Sequence, residues 1–205
     1  MPELIASPDK NTLYLIEKGR LSTQVLSLLE HLNRKPTRDN LKLFETRLNN
    51  TLAPSLLRVA KVAYIVGAKD VGFAPDNVAA IALEREINAR SKQAANWIAA
   101  TTGVALDITA AMSRARAISS GRADLIAVNN LAVSFFRGTR FGWGLDENSL
   151  KSWYVSDAHD NDDTCDDNED DGPIPINEPF QSGDFEPPAH IGCNCLMRLA
   201  RRRKL

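Results

Sequence analysis

The sequence is poor in cysteine and lacks any long apolar run. Its 205 residues include three cysteines, and an odd number without a secretory signal argues against a disulfide framework. No uninterrupted apolar stretch is long enough for a membrane-spanning helix. The N-terminus has neither the basic segment nor the apolar core of a signal peptide. We therefore expect a protein that folds in a reducing cytoplasm and has no membrane partner.

The short motifs of common enzyme classes are also missing. The sequence contains no glycine-rich phosphate loop, no His-Glu-x-x-His and no Gly-x-Ser-x-Gly. Zinc deaminases combine histidine and cysteine ligands, but they need His-x-Glu upstream of Pro-Cys-x-x-Cys. In this chain the order is reversed and the glutamate is missing. These absences predict no catalytic residue and favour a protein that is not an enzyme.

Charge nearly cancels over the whole chain but is unevenly distributed. The formal net charge is -1 and the pI is about 6.3, which excludes a uniformly basic nucleic-acid binder. Acidic residues are concentrated between Asp157 and Asp171. The basic C-terminal tail contains Arg198, Arg201, Arg202, Arg203 and Lys204. This tail could contact DNA or an acidic protein surface, or it could be a solvated end without a partner.

Helical periodicity dominates the first two thirds of the sequence. Ser7-Pro8-Asp9 predicts a helix start, because a capping side chain precedes a proline that needs no hydrogen-bond acceptor. Pro36 predicts the end of that helix, and Pro54 predicts the start of a later one. The last helix is predicted to end near Phe136. The pattern indicates a mainly α N-terminal body over residues 1–137.

The character of the sequence changes near Gly138, where helical periodicity is lost. Trp153-Tyr154-Val155 is prone to form a strand. Ile174-Pro175-Ile176 is predicted to be an edge strand, where the missing donor of proline is tolerated. We expect a small α+β, loop-rich domain over residues 144–205. It has so few apolar residues that it needs a staple such as a metal ion.

A candidate zinc site lies in this C-terminal region. Its predicted ligands are Cys165, His190, Cys193 and Cys195. Thiolate and imidazole are the ligands that zinc prefers, and a structural site takes four of them. Asn168 stands where a second cysteine would complete a knuckle, so His159 or an aspartate is the alternative fourth ligand. The competing interpretation is that the cysteines are small buried apolar residues and the histidine is hydrogen-bonded in a core.

The acidic run also invites comparison with calcium-binding loops. Asp166, Asn168 and Asp170 alternate as in an EF-hand. The pattern then fails, because Asp171 occupies the position of the required glycine and no glutamate closes the loop. We therefore predict a solvated loop in preference to a calcium site.

An ordered set of residues runs through the last third of the chain. It reads Trp153, Asp157, Cys165, Asp171-Gly172, Phe180, Pro187-Pro188-Ala189-His190 and Cys193-x-Cys195. Its order and spacing resemble the C-terminal domain of the phage Mu F-like minor head proteins, also called phage head morphogenesis proteins. Members of that family often carry Cys-x-x-Cys at the first cysteine and Cys-Arg-Cys at the end. This sequence has Asn168 and Asn194 at those places.

The resemblance implies a minor structural protein of a tailed-phage head. Such a protein is expected in the virion, after assembly in the host cytoplasm. Its implied partners are the portal protein or the major capsid protein, and its implied roles are head assembly and DNA packaging or ejection. One alternative is a DNA-binding internal virion protein that uses the basic tail. Another is a zinc-dependent hydrolase with three protein ligands and an open fourth position.

Overall fold

The computed structural model describes residues 10–107, 119–155, 163–190, 193 and 195–201. The chain is mainly helical with a small three-stranded antiparallel sheet, which confirms the predicted fold class. The long helices are α1 Lys10–Arg34, α2 Arg38–Val71, α3 Asn77–Asp107 and α4 Ser120–Trp143. The helix start predicted at residues 7–9 lies outside the described residues.

Side chains and turns cap the ends of these helices. Asp76 precedes α3 and its carboxylate accepts a hydrogen bond from the Ala79 N–H. The Ser119 hydroxyl accepts a bond from the Arg122 N–H at the start of α4. At the end of α2, Gly72 has a φ of +84° and the Phe73 N–H donates to the Ala68 carbonyl. These caps satisfy backbone groups that have no partner inside the helix.

The helix start predicted at Pro54 is wrong, because α2 continues through this residue. A proline inside a helix removes one backbone hydrogen bond and costs about 3 kcal/mol. Leu52 and Leu56, on either side of Pro54, are both fully buried. Their burial in one uninterrupted apolar stripe offsets that cost. By length and composition α2 could cross a membrane, and half of its most apolar stretch is buried inside the protein.

The chain divides into two compact units. Unit 1 consists of Met1–Val59 and Arg85–Leu131, and unit 2 of Ala60–Glu84 and Ala132–Leu205. The predicted boundary between residues 137 and 144 does not coincide with this division. Unit 2 includes the adjoining ends of three long helices as well as the C-terminal region.

Unit 1 is held together mainly by aliphatic side chains from its helices. Its fully buried residues include Leu21, Val25, Leu48, Leu52, Leu56, Ile87 and Leu131. An ion pair accompanies them: the Arg58 guanidinium donates two hydrogen bonds of 2.8 Å to the carboxylate of Glu17. The core of this unit is the apolar stripe that the helical periodicity predicts.

Unit 2 contains the sheet and a short helix. Besides the ends of the long helices, it contains β1 Ser149–Tyr154, α5 Asp163–Asp170, β2 Ile174–Pro175 and β3 Leu196–Arg201. The strand order is β2-β1-β3, with both pairs antiparallel. The edge position of β2 confirms the edge strand predicted around Pro175. Trp153 lies directly opposite Met197 on one face, and both side chains are buried.

The loss of helical structure predicted near Gly138 is wrong, because α4 continues to Trp143. Gly138 and Gly142 are one turn apart on α4 and lie against the backbone of α2. A Cβ atom at Gly138 would overlap the Ala60 carbonyl, and one at Gly142 would overlap the Tyr64 carbonyl. These glycines therefore permit close helix packing within unit 2 and do not end the helix.

The solvated loop predicted for the acidic run is also wrong for residues 163–170, which form α5. This helix has a buried side as well as its exposed acidic side. Cys165 and Asn168, three residues apart, are fully buried. The helix ends before Gly172, which has a φ of +65°. Burial of one face by the rest of unit 2 favours the helix despite the density of negative charge.

Candidate metal centre

Three of the four predicted zinc ligands meet in unit 2. The Cys165 sulfur lies 3.3 Å from Nε2 of His190 and 3.7 Å from the Cys193 sulfur. The ligand atoms of these three residues all lie within 4.8 Å of one another. All three cysteines of the chain are free thiols. The group Cys165, His190 and Cys193 could hold a metal ion.

The distances agree with those expected around one tetrahedral ion. With Zn–S near 2.3 Å and Zn–N near 2.0–2.1 Å, a tetrahedral site places two sulfurs about 3.8 Å apart and a sulfur and a nitrogen about 3.5 Å apart. The observed separations of 3.7 and 3.3 Å are within a few tenths of an ångström of these values. A disulfide requires about 2.05 Å between sulfurs, so the Cys165–Cys193 pair is not bonded. The donor set and its spacing therefore fit a zinc-sized ion.

Cys195, the fourth predicted ligand, lies outside this group of three but belongs to the same region of the core. It is buried and packs in one cluster with Trp153, Cys165 and Phe180. Burial raises the pKa of the Cys165 thiol well above its usual range, and interactions with Cys195 and Cys193 raise it further. Burial also raises the pKa of Cys195. Burial therefore favours the protonated form of Cys165 and Cys195, whereas a bound metal ion stabilises thiolates.

Different elements supply the three ligands. Cys165 projects from the buried face of α5. His190 follows Pro187 and Pro188, which are joined by a cis peptide bond. A short turn brings Cys193 back toward His190, because the Cys193 N–H donates to the His190 carbonyl. A metal ion at this point would tie a helix to the segment that leads into β3, which is the geometry of a structural staple.

Other residues of the predicted family pattern surround the ligands. The rings of Trp153 and Phe180 meet edge to face with centroids 5.1 Å apart. Both rings are buried in the cluster that contains Cys165 and Cys195. At the acid-glycine turn, the Asp171 carboxylate accepts a 2.6 Å hydrogen bond from the Gln181 N–H. The turn thereby holds the end of α5 against the segment that carries Phe180.

Asn168, the residue in place of a knuckle cysteine, takes a different role. Its Oδ1 accepts a 3.0 Å hydrogen bond from the Ser182 N–H. The amide oxygen therefore binds the backbone of the segment that follows Phe180. Asp166 and Asp170, which alternated with it in the calcium comparison, are exposed on α5.

Several other predicted residues lie outside the described residues or apart from the site. Asp157 and His159, the alternative ligand, are outside, as are the tail residues Arg202, Arg203 and Lys204. Arg201 ends β3. Arg198 is exposed on β3, and its guanidinium lies over the Tyr154 ring, 3.4 Å from the centroid. This contact places the first basic residue of the tail on the sheet.

The sequence reasoning missed a buried ionic network in unit 2. Glu186 is 5% exposed, and its two carboxylate oxygens bind Arg137 and Arg140 of α4. Lys151 is fully buried, with its ammonium 2.7 Å from the Phe185 carbonyl. Burial, reinforced by the charge of Arg140, lowers the pKa of Lys151 to about 7.

One signal in the sequence could have indicated the buried lysine. Ser149, Lys151 and Trp153 alternate along β1, so the period of a strand puts all three on one face. The buried tryptophan on that face predicts that the lysine is buried too. No comparable signal marks Glu186, since its arginine partners are distant in the sequence.

Comparisons with known proteins give no match. No protein-family model matches the sequence, and no curated protein and no solved structure matches it.

Proposed function

We propose that the chain is a minor structural protein of a tailed-phage head whose C-terminal region is stapled by zinc. The observation that carries the proposal is the convergence of the family pattern on one place. Trp153, Cys165 and Phe180, widely separated in sequence, pack in a single buried cluster with Cys195. Cys193 packs against the same cluster, so the apolar residues of the pattern and its candidate metal ligands lie in one place.

Zinc is the metal that the donor set favours. Two sulfurs and an imidazole nitrogen are softer ligands than calcium or magnesium select, and the site has no carboxylate among its three donors. Cys195 is the remaining predicted ligand, since it is buried in the same cluster. Four protein ligands would leave no open position for a substrate or a reactive water, so the proposed role of the ion is structural.

A docking function fits the composition of the region. The ordered apolar cluster of the C-terminal region is small, and its staple would make it a rigid block rather than a catalytic cleft. The proposed partners are the portal protein or the major capsid protein. The basic tail that follows Arg198 is a candidate contact for either of them or for packaged DNA.

The metal is tested by elemental analysis of protein purified without chelators. About one zinc per chain is expected, and the Cys165→Ser variant should lose it, because a structural site needs its full ligand set. A folded wild-type protein that contains no metal would contradict the zinc staple.

The virion role is tested by quantitative mass spectrometry of purified phage particles and of separated heads and tails. The proposal predicts a few copies per particle, all in the head fraction. Absence from both particles and assembly intermediates would contradict it. Hundreds of copies would point instead to a major capsid or decoration protein.

A further inference from the structure

Two buried N–H donors near the cysteines have no well-formed hydrogen bond among the described residues, although the Trp153 indole lies close enough to Cys195 to counteract part of the rise in the pKa of that thiol. They are Nε1 of Trp153 and Nδ2 of Asn168. Trp153 is 2% exposed and Asn168 is fully buried. A buried donor without an acceptor costs about 1–3 kcal/mol, so native proteins rarely keep one without a reason.

Both donors belong to residues that adjoin the candidate metal centre. Trp153 packs against Cys165 and Cys195 in the buried cluster. Asn168 lies three residues after Cys165 in α5, so the two side chains share one face of the helix. The Ser182 N–H binds the amide oxygen of Asn168, which fixes the amide so that its nitrogen, and not its oxygen, is the free end.

The thiolate sulfurs of the proposed centre are suitable acceptors for these donors, because the centre carries a negative charge. Three thiolates, one neutral imidazole and one Zn²⁺ carry a net charge of -1 by formal counting. Burying that charge is costly unless hydrogen-bond donors stabilise it. A thiolate sulfur with its remaining lone pairs is an acceptor, whereas a protonated thiol in an apolar cluster is a weak one.

We infer that Trp153 and Asn168 are positioning residues of the metal centre that donate N–H···S hydrogen bonds to its thiolates. Trp153 serves Cys195 or Cys165, and Asn168 serves Cys165 on the same helical face. Asn168 thereby supports the cluster as a donor at the position where a knuckle would have a fourth thiolate. This inference rests on the proposed zinc staple. It adds two N–H donors that stabilise the negative charge of the buried centre.

The test uses the full chain, stripped of metal under reducing conditions and titrated with Co²⁺ and then Zn²⁺. The variants are Trp153→Phe, which removes the indole N–H and keeps an aromatic ring, and Asn168→Asp, which keeps the oxygen that accepts from Ser182. Each variant should bind metal about 10-fold to 100-fold more weakly, the usual effect of losing an outer-shell hydrogen bond. The thiolate-to-cobalt charge-transfer band should move to longer wavelength, because an unsupported thiolate gives up its electrons more easily.

Two matched controls separate this effect from general damage. Trp143→Phe removes an indole N–H that binds Asp70 in a different cluster, and Asn177→Asp adds the same charge at an exposed site of unit 2. Both should keep the wild-type affinity and spectrum. If wild-type protein binds neither metal, the zinc staple itself fails. If wild-type protein binds but both test variants match the controls, the inference about Trp153 and Asn168 is overturned while the staple stands.

Discussion

Unit 1 and the C-terminal region of unit 2 have cores made of different kinds of side chain. The core of unit 1 is a set of fully buried leucine, isoleucine and valine side chains on long helices. The C-terminal region instead buries cysteines, two aromatic rings, a lysine and a glutamate around short strands. Long amphipathic helices therefore bury enough apolar surface to form a core by themselves, whereas a loop-rich segment of this size depends on specific polar contacts.

That dependence makes the C-terminal region more sensitive to single changes. An aliphatic core tolerates volume-conserving substitutions at a cost below about 1.5 kcal/mol. A metal ligand or a buried ion pair has no such equivalent, because removal of one partner leaves another group buried and uncompensated. Variants in each of the two cores should therefore differ in how much stability they lose.

The largest effect is expected from loss of a metal ligand. Cys165→Ala removes a ligand and leaves a cavity at a fully buried position. The free energy of unfolding of unit 2 should fall by roughly 5 kcal/mol, since apparent binding energies at structural zinc sites reach about 10 kcal/mol or more. Urea unfolding followed by tryptophan fluorescence measures the loss. A decrease no greater than that of an ordinary cavity, about 2 kcal/mol, and insensitive to added zinc would contradict the staple.

The next effect concerns the ionic network. Glu186→Gln leaves Arg137 and Arg140 without their carboxylate, and the two arginines are only 21% and 11% exposed. The expected loss of stability is about 3–5 kcal/mol. Glu17→Gln in unit 1 is the matched control, because its partner Arg58 is 40% exposed and keeps much of its hydration. Equal losses for the two variants would remove this contrast between the units.

A smaller effect is expected where two helices of unit 2 approach closely. Gly142→Ala forces a methyl group against the backbone of Tyr64 and Ala68 and should destabilise by about 1–3 kcal/mol. Gly19→Ala in α1 meets nothing within 4 Å. It should stabilise the protein by up to about 1 kcal/mol, because alanine is the better helix former. Thermal unfolding should show a lower Tm than wild type for Gly142→Ala and a higher one for Gly19→Ala. A change of Tm in the same direction for both variants would contradict the close packing.

The smallest effect is a pH dependence that originates at Lys151. Its folded-state pKa of about 7 lies below the ordinary value of 10.5, so the unfolded chain binds more protons between these pH values. Stability should therefore rise with pH through this window, by at most about 1.4 kcal/mol per pH unit. The Lys151→Met variant removes this contribution. Urea unfolding at pH 7.5 and 8.5 gives the free energy of unfolding of both proteins. Subtracting one from the other cancels the contribution of the thiols, which both proteins share. A difference that is the same at the two pH values would contradict the prediction.

The sequence predicted the fold where local signals and burial agree. The end of α1 just before Pro36 and the strand around Trp153 were recognisable, because each depends on the properties of neighbouring residues. Pro54 and Gly138 misled the prediction, since tertiary packing outweighed the local tendency of proline and glycine to end helices. The acidic run misled it too, because the burial of Cys165 and Asn168 is decided by distant segments.

Three of the four predicted ligands meet in the candidate site, but the surroundings of the site were not predictable. The spacing of His190, Cys193 and Cys195 carries the chemistry of zinc, and the structure brings the first two to Cys165. The donor role that we propose for Asn168 depends on its contact with Ser182, and the ionic network of Glu186 depends on α4. Both contacts join residues that are far apart in the sequence, so no short motif predicts them.

Amide hydrogen exchange with and without EDTA tests most directly the claim that the C-terminal region depends on metal whereas unit 1 does not. We expect the chelator to abolish most of the protection of β1, α5 and β3. Amides of α1 between Leu21 and Leu32 should keep their protection, because apolar packing alone holds them. Unchanged protection of β1, α5 and β3 in protein proven free of metal would contradict the account.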